Sequence, residues 1–139
     1  MKYVIDSSVL LTWILSPSVE MAENIFSFIQ KNRKNLYSHA WVLIEISNVL
    51  VMHLDSLQRV EEAYQRFLEL DITVLDVDSA LLHEARNIAF MVKDSVYDAS
   101  YHALAIEYDY TFITCDEHYF NKANHLGNIK LYTMLEGKG

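Results

Sequence analysis

Asp6, Glu45, Asp98 and Asp116 are the residues of this 139-residue chain whose types and settings point to chemistry. Asp6 ends the β-prone run 2–6 (KYVID), and Asp116 follows the run 111–114 (TFIT). If these runs are neighbouring parallel strands, both carboxylates open into one crevice at the strands' carboxyl ends. Each also suits the N-cap of a following helix, where aspartate accepts from a free backbone N–H. Glu45 lies inside the apolar stretch 41–46 (WVLIEI). A glutamate buried there without a partner costs several kcal/mol or stays protonated. The alternative is a narrow solvent stripe shared with Asn48. Asp98 stands among small residues in 96–105 (VYDASYHALA), which favour close helix packing. Asp94 falls one turn earlier on the same face, beside Lys93, and suits a solvated helix start. Like charges at that spacing repel by about 0.2–0.5 kcal/mol in an isolated helix.

Several carboxylates gathered within a few ångströms do not all stay ionised unless a cation compensates them. Clustered hard oxygens without Cys or His suit Mg²⁺ or Mn²⁺, and Mg²⁺ commonly keeps waters and binds substrate phosphate. This bears on a conflict of charge. The net charge is −8 and the isoelectric point is near 5.1, whereas a protein that neutralises nucleic-acid phosphates is usually basic. A bound cation supplies the positive charge locally.

The elements that must position these acids alternate in type. Strands are expected at 2–6, 36–38, 72–77, 111–114 and 129–133. Helices are expected at 7–15, 17–32, 40–54, 55–70, 79–91 and 96–108, with a short one after Asp116. Asp6 or Ser7 caps the first, Pro17 opens the second, Asp55 and Gln58 resemble a capping box for the fourth, and Asp78 caps the fifth. Lys31, Arg33 and Lys34 close the second, as the helix dipole favours. This alternation predicts an α/β fold of three layers, α/β/α, around a short central parallel sheet.

Length and composition fit a single domain spanning 1–139, with 52% hydrophobic and 22% charged residues. No apolar run approaches the roughly 18 residues of a membrane span, since Thr12 and Glu45 break the longest candidates. The start Met1-Lys2 reaches Asp6 at once, so no secretory signal is expected. One cysteine allows no internal disulfide. A cytoplasmic protein is the expectation. All three glycines fall at or after Gly127, which removes the P-loop and the dinucleotide fingerprint.

The segments VIDSSV, IEISNVL, VYDASYHALA and FITCD resemble, in order, the four motifs of the PIN domain. The likeness is greatest to the short single-domain type, the VapC-like toxins of toxin–antitoxin pairs, and runs from Lys2 to about Thr133. The resemblance implies an acidic quartet at Asp6, Glu45, Asp98 and Asp116, with Asp6, Asp98 and Asp116 as metal ligands. Thr114 matches the polar residue before the last acid, and Ser7 or Ser8 the hydroxyl residue after the first. It further implies metal-dependent endoribonuclease activity with Mg²⁺ or Mn²⁺, leaving a 5′-phosphate and a 3′-hydroxyl. The implied partners are an RNA substrate, a cognate antitoxin and a second copy in a homodimer.

Other residues carry less. A thiolate beside carboxylates is disfavoured, so Cys115 reads as a small buried side chain. Asp98 and His102 stand one helical turn apart and His118 follows Asp116 by two, but no Cys or His pair completes a zinc site. The nine tyrosines are expected mostly in the core. Two other functional classes remain open. A receiver-like signalling module would use Thr114, Lys130 and an acid such as Asp76 or Asp78. A PIN-fold interaction protein without catalysis would keep the fold alone.

Overall fold

The computed structural model describes residues 1–16 and 19–135. Among these, β1 (Tyr3–Ile5), β2 (Leu36–His39), β3 (Thr73–Leu75), β4 (Thr111–Thr114) and β5 (Ile129–Leu131) form one sheet in the order β3-β2-β1-β4-β5. Every pairing is parallel, and Ile5 of β1 lies in register with Ile113 of β4. The inner positions of the central strands are apolar because they are buried on both faces; Val4, Ile5, Phe112 and Ile113 have no solvent exposure.

The connecting helices are α1 (Ser7–Leu15), α2 (Glu20–Lys31), α3 (Trp41–His53), α4 (Leu57–Glu69), α5 (Ser79–Val92), α6 (Val96–Tyr108) and α7 (Glu117–Ala123). α1 packs on α2, α3 and α4, while α5 packs on α6 and α6 on β1 and β4. The chain steps outward from β1 to β3, then returns across the sheet to β4. With right-handed crossovers that reversal puts α5 and α6 on the opposite face from α1–α4. The three-layer α/β/α expectation therefore holds. α6 is buried from Ala99 to Ala105, sandwiched between the sheet and α5, where its small residues allow close approach. α3 buries Val42, Ile46 and Leu50, a single stripe at helical spacing.

Helix starts follow side-chain chemistry. Asp6, Ser56, Asp78, Ser95 and Asp116 each accept a hydrogen bond from a backbone N–H in the first turn of α1, α4, α5, α6 and α7. The expected Asp55–Gln58 capping box does not form. Ser56 is the cap, Asp55 pairs with Arg59 and Gln58 donates to Glu62. Pro17 lies outside the described residues, and α2 begins at Glu20 after Val19. β3 is shorter than expected, because at the sheet edge it has one partner only. β5 stops at Leu131, and Tyr132–Met134 turns as a 3-10 helix. Tyr101, Tyr119 and Tyr132 are buried and Tyr3, Tyr37, Tyr64 and Tyr110 pack partly buried against the core, whereas Tyr97 and Tyr108 are exposed, so the tyrosines mostly serve the core as expected. The strand order also differs from the 2-1-3-4-5 order of receiver-type domains. Asp76 is exposed beside the edge strand and Asp78 serves as a cap, which leaves the receiver reading without its acid.

Candidate active site

β1 and β4 are adjacent and parallel, and the chain departs from them in opposite directions across the sheet. Such a switch point leaves a crevice at the strands' carboxyl ends. Asp6 and Asp116 follow those ends, and each is also the cap of the next helix. The capping reading holds for both: one oxygen of each carboxylate accepts from the first turn of the next helix, and both residues follow the carboxyl ends of neighbouring parallel strands.

Asp6 is 4% exposed. Its Oδ1 accepts from the Ser8 hydroxyl and, at 3.3 Å, from the Val9 backbone N–H. Its Oδ2 accepts from Thr114 Oγ1 at 2.8 Å. Burial pushes the Asp6 carboxyl up to about 6; the three donors oppose this, and Glu45 adds to it. Ser8 Oγ accepts from the Cys115 N–H at 3.1 Å, and Thr114 Oγ1 accepts from the Asp116 N–H at 3.1 Å. Two hydroxyls therefore lace the end of β1 to the end of β4. Cys115 itself is half-buried rather than buried.

Glu45 comes from α3 and is half-buried, while Asn48 is exposed, so the two do not share a solvent stripe. Its Oε2 accepts from Ser7 Oγ at 2.7 Å and from the Tyr101 hydroxyl at 3.1 Å. Its Oε1 is buried with no hydrogen-bond partner.

Asp98 lies in the first turn of α6, half-buried, with Ser95 Oγ at 3.3 Å from its Oδ2. Burial, then the Asp116 carboxylate and a hydrogen bond shared with Asp94, push Asp98 up to about 7; Asp6 adds to the shift. Asp94 is not a freely solvated charge. Its Oδ1 accepts from the Ser95 N–H at 2.6 Å, and its buried Oδ2 lies 3.6 Å from Lys122 Nζ, beyond hydrogen-bond reach. Lys122 donates instead to the Lys93 carbonyl at 2.8 Å.

The fold thus brings four acids from four elements together in pairs, Asp6 within electrostatic reach of Glu45 and Asp98, and Asp98 within reach of Asp116. Asp94 joins them, and Ser7, Ser8, Thr114 and Tyr101 supply the hydroxyls. Among the described residues, no group of three or more His, Cys, Asp or Glu side chains is arranged to hold a metal ion. The donor set nevertheless fits a hard divalent cation: carboxylates only, two of them raised by burial and mutual repulsion, and one buried carboxylate oxygen without a donor. His102 takes no part. Its ring nitrogens meet the Tyr119 hydroxyl and the Gly127 carbonyl, each at 2.7 Å. His118 is exposed on α7.

A profile of the PIN domain family matches residues 3–126. The chain belongs to the PIN domain family. PIN domains are generally nucleases, and those nucleases generally use divalent metal ions. No curated protein sequence matches the chain. Among solved structures, PAE2754 from Pyrobaculum aerophilum is similar with a TM-score of 0.72 and 21% identity, covering 97% of this chain and 86% of that one. VapBC2 from Rickettsia felis, bound to a DNA fragment from its promoter, gives 0.76 at 13% identity, covering 95% and 99%. DNA-bound VapBC from Salmonella typhimurium gives 0.72 at 17% identity, covering 94% and 96%. At these identities the likeness is one of fold.

Within this PIN domain, sequence reasoning passed over Tyr101 and set Asp94 aside as a solvated helix start. A signal existed for Tyr101. It follows Asp98 by three positions, and residues so spaced share one helix face.

Proposed function

We propose that this PIN domain is a metal-dependent endoribonuclease and the toxin of a type II toxin–antitoxin pair. The observation that carries the reading is the approach of Asp6, Glu45, Asp98 and Asp116 at the switch point, where burial and then neighbouring carboxylates raise the carboxyls of Asp6 and Asp98. Similarity of fold to VapBC complexes supports the toxin assignment and an antitoxin partner.

In this reading Asp6, Asp98 and Asp116 would hold Mg²⁺ or Mn²⁺, which when bound would supply the charge that polarises the scissile phosphate and eases deprotonation of the attacking water. Glu45 serves as a further ligand or as the base that takes the proton from the attacking water. Thr114 and Ser8 fix both oxygens of Asp6, and Ser7 fixes Oε2 of Glu45, so the carboxylates are oriented before substrate arrives. The water oxygen bonds to phosphorus, the bond to the 3′-oxygen breaks, and that oxygen takes up a proton. The products carry a 5′-phosphate and a 3′-hydroxyl, since the ribose 2′-hydroxyl is not the nucleophile. A cation held there, rather than a basic surface, would supply positive charge locally where RNA approaches a chain of net charge −8. Exposed Ile44, Phe90, Met91 and Tyr97 support burial against another chain, and a homodimer is the expected assembly.

The test is RNA cleavage with Mg²⁺ by the wild type, Asp6→Asn and Asp116→Asn. Cleavage is expected to fall by orders of magnitude in each variant and to stop in EDTA. Undiminished cleavage in the variants, or cleavage that persists in EDTA, rejects the reading.

A further inference from the structure

We infer that Tyr101 is a positioning residue for Glu45: its hydroxyl, together with Ser7, holds one oxygen of that carboxylate and leaves the other for the reacting centre. This rests on the nuclease reading above and assigns how the Glu45 side chain is aimed.

Two donors from two helices meet the same atom. Ser7 Oγ of α1 reaches Glu45 Oε2 at 2.7 Å, and the Tyr101 hydroxyl of α6 reaches it at 3.1 Å. Neither touches Oε1, which is buried and has no hydrogen-bond partner in the protein. A buried carboxylate oxygen left so costs free energy unless something outside the chain meets it. The asymmetry therefore has a direction: one oxygen is fixed by the fold, and the other is reserved for an ion or a water.

The phenol is a dependable donor. Tyr101 is 1% exposed, and burial together with the Glu45 and Asp6 carboxylates pushes its ionisation far above the usual range. It stays protonated at any working pH, and its proton has one acceptor in reach. The ring is fixed as well. Tyr101 stacks on His39 with centroids 4.0 Å apart and planes 16° from parallel. His39 Nδ1 accepts from the Trp41 N–H at 3.2 Å, so Nε2 carries the ring proton and donates to Ser100 Oγ at 2.7 Å. Ser100 in turn donates to the Tyr97 carbonyl. The imidazole thus ties the end of β2 to the first residue of α3, which carries Glu45, and to α6, which carries Tyr101. A hydroxyl on so rigid a mount loses little entropy in forming its bond, as a positioning group requires.

The decisive variant is Tyr101→Phe, which keeps the ring and its stack and removes only the hydroxyl. The measurement is single-turnover RNA cleavage in Mg²⁺, with RNA affinity measured separately in Ca²⁺ and melting temperature as a fold control. Cleavage is expected to slow about 10-fold or more, with RNA affinity and melting temperature little changed. A merely structural role would lower the melting temperature and leave the rate of folded protein intact. Tyr101→Phe is then placed on Glu45→Gln. If the phenol acts through Glu45, it adds less than about twofold in that background. Full cleavage by Tyr101→Phe, or an equal loss on Glu45→Gln, overturns the inference. The failure of the parent reading looks different: wild type that cuts no RNA, or a fully active Glu45→Gln, removes the nuclease assignment or the part given to Glu45.

Discussion

Thr114 Oγ1 donates to Asp6 Oδ2 at 2.8 Å and accepts from the Asp116 N–H at 3.1 Å, so one hydroxyl joins two acids 110 positions apart. The bond crosses between the carboxyl ends of β1 and β4, where the fold opens its crevice. Removing it leaves a buried carboxylate oxygen and a backbone N–H without partners. Thr114→Val is expected to lose about 1–3 kcal/mol of stability in urea unfolding. Because the Thr114 bond also opposes the rise of the Asp6 carboxyl, the variant should bind Mg²⁺ more weakly near neutral pH. Thr114→Ser restores most of both. Equal stability and Mg²⁺ affinity in Thr114→Val would show that the hydroxyl is incidental.

Tyr119 and His102 make a second buried pair that is structural rather than catalytic. The Gly127 carbonyl only accepts, so His102 Nε2 carries the proton and Nδ1 accepts from the Tyr119 hydroxyl at 2.7 Å. Burial lowers His102 and raises Tyr119, which keeps both neutral. Tyr119→Phe strands Nδ1 and should cost about 1–3 kcal/mol. Its RNA cleavage per folded molecule should match the wild type. A specific loss of rate at unchanged stability would contradict this division of labour.

The strand-end acids were legible because strand-forming runs followed by Asp say where a parallel sheet ends and a helix begins. Asp6, Asp78 and Asp116 cap as that pattern requires. α6 matches its expected bounds because its small residues and its polar start reflect burial on two sides. What the sequence hid lies between elements. Tyr101 meets Glu45 across 56 positions, and no periodicity encodes which helices face each other. Asp94 looked solvated from its neighbour Lys93, yet α7 brings Lys122 against it and leaves it largely covered. The cap of α4 fell to Ser56 rather than Asp55, a one-residue choice set by backbone geometry.

His39 gives the fold an acid-sensitive point. Burial lowers it to about 4, from about 6.5 in an unfolded chain. The native state therefore disfavours the proton. The stability this contributes is complete above about pH 6.5 and is lost as pH falls through about 4. In NMR the His39 ring resonances should stay fixed from about pH 8 to about pH 5. His39→Asn, which does not titrate, should lose less stability than wild type over the fall to pH 4. A His39 midpoint near its unfolded value would remove the effect.

The carboxylates act with the opposite sign, and a divalent cation should reverse them. Asp6 is raised to about 6 and Asp98 to about 7, against about 3.9 in an unfolded chain. Their contribution to the metal-free protein is fully present below about pH 3.9 and is lost as pH rises through about 6 to 7. At pH 8 the metal-free fold therefore carries ionised acids that its burial opposes. A cation bound among them adds stability by mass action, about 2.7 kcal/mol at a hundredfold excess over its dissociation constant. The Mg²⁺-induced rise in melting temperature should be large at about pH 8 and small at about pH 5, where protons compete for the same oxygens. Asp98→Asn should melt higher than wild type in EDTA at the alkaline end, since it removes one member of a repelling set, and should respond little to Mg²⁺. An Mg²⁺ shift of the same size at both pH values, or one that Asp98→Asn leaves intact, would mean that these acids do not share an ion.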